Sequence, residues 1–179
     1  MNYQTISDVY AANDKIREKL KAVVSGLTDR QANALPEDEK WTVAQIIEHL
    51  SLVEDGMTRI SAKLLSEAKA KGAAAADGTV RFSEDFLRKT SEVKNQKVEA
   101  PERVHPTGTK TVPESLAKLD ENRRKLDDLR PLFESIECSE FKFPHPAFGD
   151  ISAHEWLALV GGHEARHLAQ ILRILEKIQ

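Results

Sequence analysis

The sequence predicts an all-α four-helix bundle, a single domain over residues 1–179, with a long irregular connection between the second and third helices. Three observations carry that reading. Four segments repeat apolar residues every three or four positions, three of them open on a capping box, and no hairpin signal lies between them.

The first segment places Ile6, Val9, Ile16, Leu20, Val23 and Leu27 on one stripe, with a single gap of seven, and stops near Ser25–Leu27. The polar stretch "LTDRQANALPEDEK" follows as a connection. In "WTVAQI", Thr42 caps the second helix, Gln45 reaches back to the cap, and Trp41 and Ile46 flank it as a hydrophobic staple. Its stripe runs Val43, Ile46, Ile47, Leu50, Val53, Met57, Ile60, Leu64 and ends where Gly72 offers a C-terminal stop. Residues 72–112 are the least regular part: "GAAAADGT" reads as a flexible loop, "SEDFLRKTSEV" as a short helix and "NQKVEAPERVHPTGTK" as irregular chain. Connections of this length often lie over functional sites. Thr111 and Glu114 open the third helix, with Pro113 tolerated in its first turn; Leu116, Leu119, Leu126, Leu129, Leu132 and Phe133 take it to about Ile136. Irregular chain over "ECSEFKFPHPAFGD" leads to the fourth helix, opened by Ser152 and Glu155 with Ile151 and Trp156 as the staple.

Composition excludes several classes. With 26 Lys+Arg against 29 Asp+Glu the net charge is −3, which gives no basic field for nucleic acid or an anionic membrane. Apolar runs fall far short of the ~18 residues of a membrane span. The N-terminus lacks the basic and apolar regions of a signal peptide. A lone cysteine, Cys138, excludes an internal disulfide and fits a reducing cytosol, so a cytoplasmic protein is expected.

Chemistry concentrates in the histidines. "HEARH", residues 163–167, matches H-E-x-x-H, the zinc signature of metalloproteases. With Val160 as the reference direction, His163 and His167 fall within ~60° of it, among Trp156, Leu157, Ile171, Ile174 and Ile178, and ~6 Å apart along the axis. That spacing suits two imidazoles on one ion, and equally two buried histidines that each have a hydrogen-bond partner. The protease reading lacks its third ligand: Gln170 and Arg173 stand where the extended motif needs glycine and histidine, and Glu176 lies ~180° round the helix from His167. Glu164 is therefore not expected to act as a protease-type general base. Any third ligand comes from upstream. His49 is best placed, at the edge of the second helix's buried face, within ~40° of Val53 and Ile60; standing alone it would read as a boundary histidine bonded to solvent. His105 and His145 precede prolines in irregular chain, and His154 sits in a first helical turn where solvation is easy, so these are weaker candidates.

"WTVAQIIEHL" together with "HPAFGDISAHEWLALVGGHEARHLAQI" resembles the DinB-like (YfiT-like) superfamily of four-helix bundles; residues 145–171 carry the specific likeness and Trp41–His49 supports it. The resemblance implies that His49, His163 and His167 bind a divalent metal, nickel or zinc, and that members are often homodimers. It also implies chemistry of two kinds, thiol S-transfer with bacillithiol, mycothiol or glutathione, and metal-dependent hydrolysis. In either, the reactive group would be a metal-bound thiolate or water rather than a side chain. The expected function is a metal-dependent, thiol S-transferase-like enzyme acting on a small electrophile. The alternatives are a hydrolase and a stress-related metal-binding bundle without turnover. Gln170 and Glu48 are the polar residues expected to support the ligands.

Overall fold

The computed structural model describes residues 3–93 and 99–178. In chain order the elements are α1 (Ile6–Val24), α2 (Asp29–Asn33), α3 (Val43–Ala70), α4 (Glu84–Val93), a 3₁₀ turn (Glu102–Val104), α5 (Val112–Asp128), α6 (Arg130–Ser135), β1 (Lys142–His145), β2 (Gly149–Ser152) and α7 (Ala153–Lys177). The bundle is made by α1, α3, α5 and α7. Capping boxes open α3, α5 and α7 at Thr42, Thr111 and Ser152, as the sequence predicts. Two more were not anticipated: Thr5 with Asp8 opens α1, and Thr28 with Gln31 opens α2 in the stretch read as a plain connection. Among the described residues no helix is long and apolar enough to cross a membrane.

Helix direction follows from the two apolar clusters of the core. One joins Val24 and Ile174, the ends of α1 and α7, to Val43 and Val112, the beginnings of α3 and α5. The other joins Ile6 and Trp156, at the beginnings of α1 and α7, to Leu64 and Leu65 late in α3. So α1 and α7 run one way and α3 and α5 the other. Parallel neighbours need a connection that retraces the length of the first, ~42 Å for the 28 residues of α3. This is the physical reason for the long passage between α3 and α5.

Between the clusters lies a polar layer that the sequence reading missed. Asn13, Arg17, Glu54, Asn122, Arg123 and Glu164 are all buried. The buried face of α1 is Ile6, Val9, Tyr10, Asn13, Arg17, Leu20 and Val24, so Asn13 fills the apparent gap of seven and Ile16 and Val23 are only half-buried. Asn122 and Arg123 fill the matching gap between Leu119 and Leu126 in α5.

Three further differences have local causes. The expected single third helix divides at Leu129, because Pro131, in the first turn of α6, cannot donate a backbone hydrogen bond to a continuing helix. "GAAAADGT" is pinned rather than free: Ala76 N–H donates to the Ser135 carbonyl, Glu137 N–H to that of Ala74, and Val80 N–H to that of Gln4. Finally, β1 and β2 form an antiparallel hairpin in which His145 pairs with Gly149. The three-residue turn, 146–148, delivers the chain to Gly149, the first residue of β2, at φ 71°, a left-handed position that favours glycine. The flanking prolines Pro144 and Pro146 hid this hairpin, since proline argues against a strand.

Candidate metal centre

Two neighbouring helices build the site. α3 and α7 pack antiparallel, which brings His49, in the second turn of α3, opposite the i,i+4 pair on α7. Ring centroids are 5.2 Å apart for His49 and His163, 5.0 Å for His49 and His167, and 4.6 Å for His163 and His167. One ligand nitrogen from each lies within 4.8 Å of the others, and this is the one three-residue group among the described residues arranged to share an ion. Nitrogens on one ion at ~2.1 Å stand ~3.4 Å apart in tetrahedral geometry, so a short side-chain adjustment would bring all three to a common centre.

The outer nitrogens are held. His49 Nδ1 donates to the Val104 carbonyl at 2.7 Å, which leaves Nε2 with its lone pair. Gln170 Nε2 donates to a Glu39 carboxylate oxygen at 3.1 Å, so its Oε1 turns to His167 and accepts from Nδ1 at 3.0 Å. A Glu39–Gln170–His167 relay thus fixes the second ring in the same tautomer. Trp41 packs its ring 4.8 Å from that of His49. Burial holds all three imidazoles below their ordinary pKa. His163 lies well below it, through burial first and then the neighbouring His167 and His49. His167 is lowered to about 4, by burial and then His49, and His49 is lowered by burial. At neutral pH all three are uncharged and can offer lone pairs.

The other candidates lie elsewhere. Glu48 turns away from the histidines and accepts from Thr107 N–H, Thr107 Oγ1–H and Gly108 N–H. It therefore secures the same segment whose Val104 carbonyl holds His49. His105 donates to the Ala100 carbonyl at 2.9 Å with its ring 5.9 Å from Trp41. His145 Nδ1 accepts from Ala147 N–H at 3.0 Å inside the hairpin turn. His154, expected to be solvated, is 1 % exposed, and its Nδ1 accepts from Arg81 N–H at 3.2 Å. The glutamate of "HEARH" faces the other way. Glu164 accepts from Arg17 Nε at 2.7 Å and Nη2 at 3.1 Å, on the α1 side of α7.

Two supporting groups could not be read in advance. The Val104 carbonyl is a backbone atom of an irregular segment, and Glu39 lies 131 positions from Gln170. The burial of Glu164 did have a signal, because it lies ~40° from Val160 round α7, inside the apolar arc.

Residues 12–171 match the DinB superfamily. The chain belongs to that superfamily. Its relatives include the uncharacterized protein YuaE of Bacillus subtilis (strain 168), 26% identical over 162 residues that cover 87% of this chain and 90% of YuaE. Among solved structures, YfiT from Bacillus subtilis is described as a probable metal-dependent hydrolase with an unusual four-helix bundle topology. It superposes with a TM-score of 0.62 at 23% identity, covering 96% of this chain and 86% of the YfiT chain. At that identity the likeness speaks for the fold alone, a four-helix bundle.

Proposed function

We propose that the protein is a divalent-metal-dependent enzyme in which His49, His163 and His167 hold the ion and a small electrophile is the substrate. The observation that carries this reading is the convergence of three neutral imidazoles, two of them with Nδ1–H tied back to Val104 and Gln170. An all-imidazole donor set suits zinc or nickel. A bound divalent ion would supply Lewis acidity, enough to ionise a coordinated thiol or bring the pKa of a water towards neutrality.

The chain's own residues supply orientation. The Val104 carbonyl and the Glu39–Gln170 pair fix two rings, and Trp41 covers one face of His49. The carboxylates next to these ligands in sequence are already committed. Glu48 holds the segment at Thr107 and Gly108, and Glu164 is gripped by Arg17. That allocation favours a nucleophile that needs no protein base, so transfer from a low-molecular-weight thiol is the leading reading. Hydrolysis is the second, favoured by the description of YfiT.

Titration with Zn(II), Ni(II) and Co(II) tests the ion. Conjugation of bacillithiol, mycothiol or glutathione to a bimane electrophile, run beside hydrolysis of a nitrophenyl ester, separates the two chemistries. Each histidine-to-alanine change is expected to weaken binding by at least ~100-fold, beyond the ~10–100-fold that outer partners command. A His49→Ala protein that holds zinc or nickel as tightly as wild type would remove the three-histidine site. Metal-dependent ester cleavage with no thiol turnover would replace transfer by hydrolysis.

A further inference from the structure

His163 and Glu164 are consecutive, yet they answer to different helices. His163 meets His49 of α3, while Glu164 is held by Arg17 of α1 through a two-point fork, Nε to Oε1 at 2.7 Å and Nη2 to Oε2 at 3.1 Å. The same guanidinium reaches α3 through Glu54, 2.5 Å from Nη2, and α5 through the Leu119 carbonyl, 3.1 Å from Nη1. Arg17 therefore touches all three other helices of the bundle. One turn earlier, Asn13 Nδ2 donates to the Leu157 carbonyl of α7 at 3.0 Å. Its side chain fills the notch left by Gly161, where a Cβ would come within 2.2 Å of Asn13 Oδ1.

We propose that α1 is the positioning element of the metal pair: Asn13 and Arg17 grip α7 at Leu157, Gly161 and Glu164, and so fix the height and rotation at which His163 and His167 meet His49. The inference rests on the three-histidine reading above. Its physical basis is directional. Apolar packing between helices is non-directional and tolerates small rotations, whereas a forked guanidinium–carboxylate pair has one good geometry. At the ~6 Å radius of a helix's side-chain envelope, a rotation of ~10° carries a ring nitrogen ~1 Å, several times the ~0.2 Å tolerance of a metal–ligand bond. Stability alone is a weak reason for the arrangement, because buried ion pairs often do no better than apolar residues of the same volume. Arg17, Glu164 and Asn13 are thus positioning residues, and the glutamate of "HEARH" acts on its neighbouring histidine through the helix.

The test compares Glu164→Gln and Gly161→Ala with Phe133→Leu, a core change in the other apolar cluster chosen to lower Tm by a similar amount. Three quantities are read: Co(II) affinity, the visible d–d spectrum of the Co(II) form, and NOEs between the His49 ring and the rings of His163 and His167 in metal-free protein. Glu164→Gln and Gly161→Ala are expected to weaken Co(II) binding ~10-fold or more, the cost of losing an outer partner, with altered d–d bands and weakened ring NOEs. Phe133→Leu is expected to leave all three unchanged. Adding Asn13→Ala to Gly161→Ala removes the atoms the new methyl meets and recovers part of the affinity. The proposal is overturned if folded Glu164→Gln and Gly161→Ala bind Co(II) with wild-type affinity and spectrum. It is overturned equally if Phe133→Leu loses as much as they do. Wild-type affinity in His163→Ala would instead remove the metal reading, while the ring NOEs of the metal-free variants still report whether α1 sets the histidine arrangement.

Discussion

On the side of α7 that faces α3 the histidines are neutral and two of the three are half-buried, whereas on the side that faces α1 and α5 the polar side chains are buried and pair acid with guanidinium. His163 and His167 are kept uncharged by burial first, with His49 adding to both and His167 to His163. Arg17, Glu54, Arg123 and Glu164 form a compact set of two guanidinium and two carboxyl side chains, with Arg123 3.7 Å from Glu164 and 3.9 Å from Glu54, and burial raises the Glu54 carboxyl to about 7 against the pull of Arg17 and Arg123. Both are answers to the same cost, since an isolated charge away from water is far more expensive than a neutral polar group. They leave different things behind. The Arg17 face answers its groups within the protein, by hydrogen bonds from Arg17 and by the charge of Arg123, whose Nε and Nη2 lie beyond hydrogen-bond reach of Glu54 and Glu164. The neutral face brings one ring nitrogen of each histidine within 4.8 Å of the others, and the lone pairs left at His49 and His167 by their Nδ1–H bonds are capacity that an ion can take.

The sharpest way to break the comparison is Arg17→Met. It leaves Glu54 and Glu164 buried with only Arg123 to answer them, and removing one partner of a buried ion pair costs ~3–5 kcal/mol. Urea denaturation of the metal-free protein at neutral pH measures the loss. A change under ~1 kcal/mol would mean that the α1 side is not held by matched charge. On the other face Gln170→Leu should act on metal rather than on folding. It frees His167 Nδ1 from the Glu39 relay and is expected to weaken zinc or nickel binding ~10–100-fold while shifting stability by less than ~1 kcal/mol. Equal metal affinity in this variant would show that the relay does not orient the ring.

How much of this could be read from the chain depends on the kind of interaction. Helix starts were legible because a capping box is local: Thr42 with Gln45 and Ser152 with Glu155 declare themselves within four residues. The His163/His167 pair was legible for the same reason, and His49 followed once the pair required a third ligand on a buried face. The polar layer was harder. Its residues sit where the apolar repeat of α1 and α5 skips a turn, and a skipped turn looks like a gap until the partner helices are known. Arg17 reads as solvent-facing beside Ile16 because its partners, Glu54 and Glu164, are 37 and 147 positions away. The division at Pro131 and the hairpin closed by Gly149 were both signalled by single residues whose meaning depends on context. The Val104 carbonyl had no signal at all, since any residue carries that group.

The smallest effect sharpens the comparison through pH. The folded-state pKa of His167 is lowered to about 4, while an unfolded histidine titrates near ~6.5. Between those values the unfolded chain binds a proton at this position that the folded chain refuses, so this group makes stability rise with pH across the window. Its contribution is fully present above ~6.5 and is lost as pH falls from there towards 4. His163, also lowered, acts in the same sense. The effect is modest at first, because only a fraction of unfolded histidines is protonated between pH 7 and 6. Urea melts of metal-free wild type and His167→Leu at pH 7, 6 and 5 isolate it: the variant lacks one of the titrating groups, so its stability should fall less steeply with acid. Parallel curves for the two proteins would mean that His167 is not held neutral by the fold, and the contrast between the two faces of α7 would lose its electrostatic half.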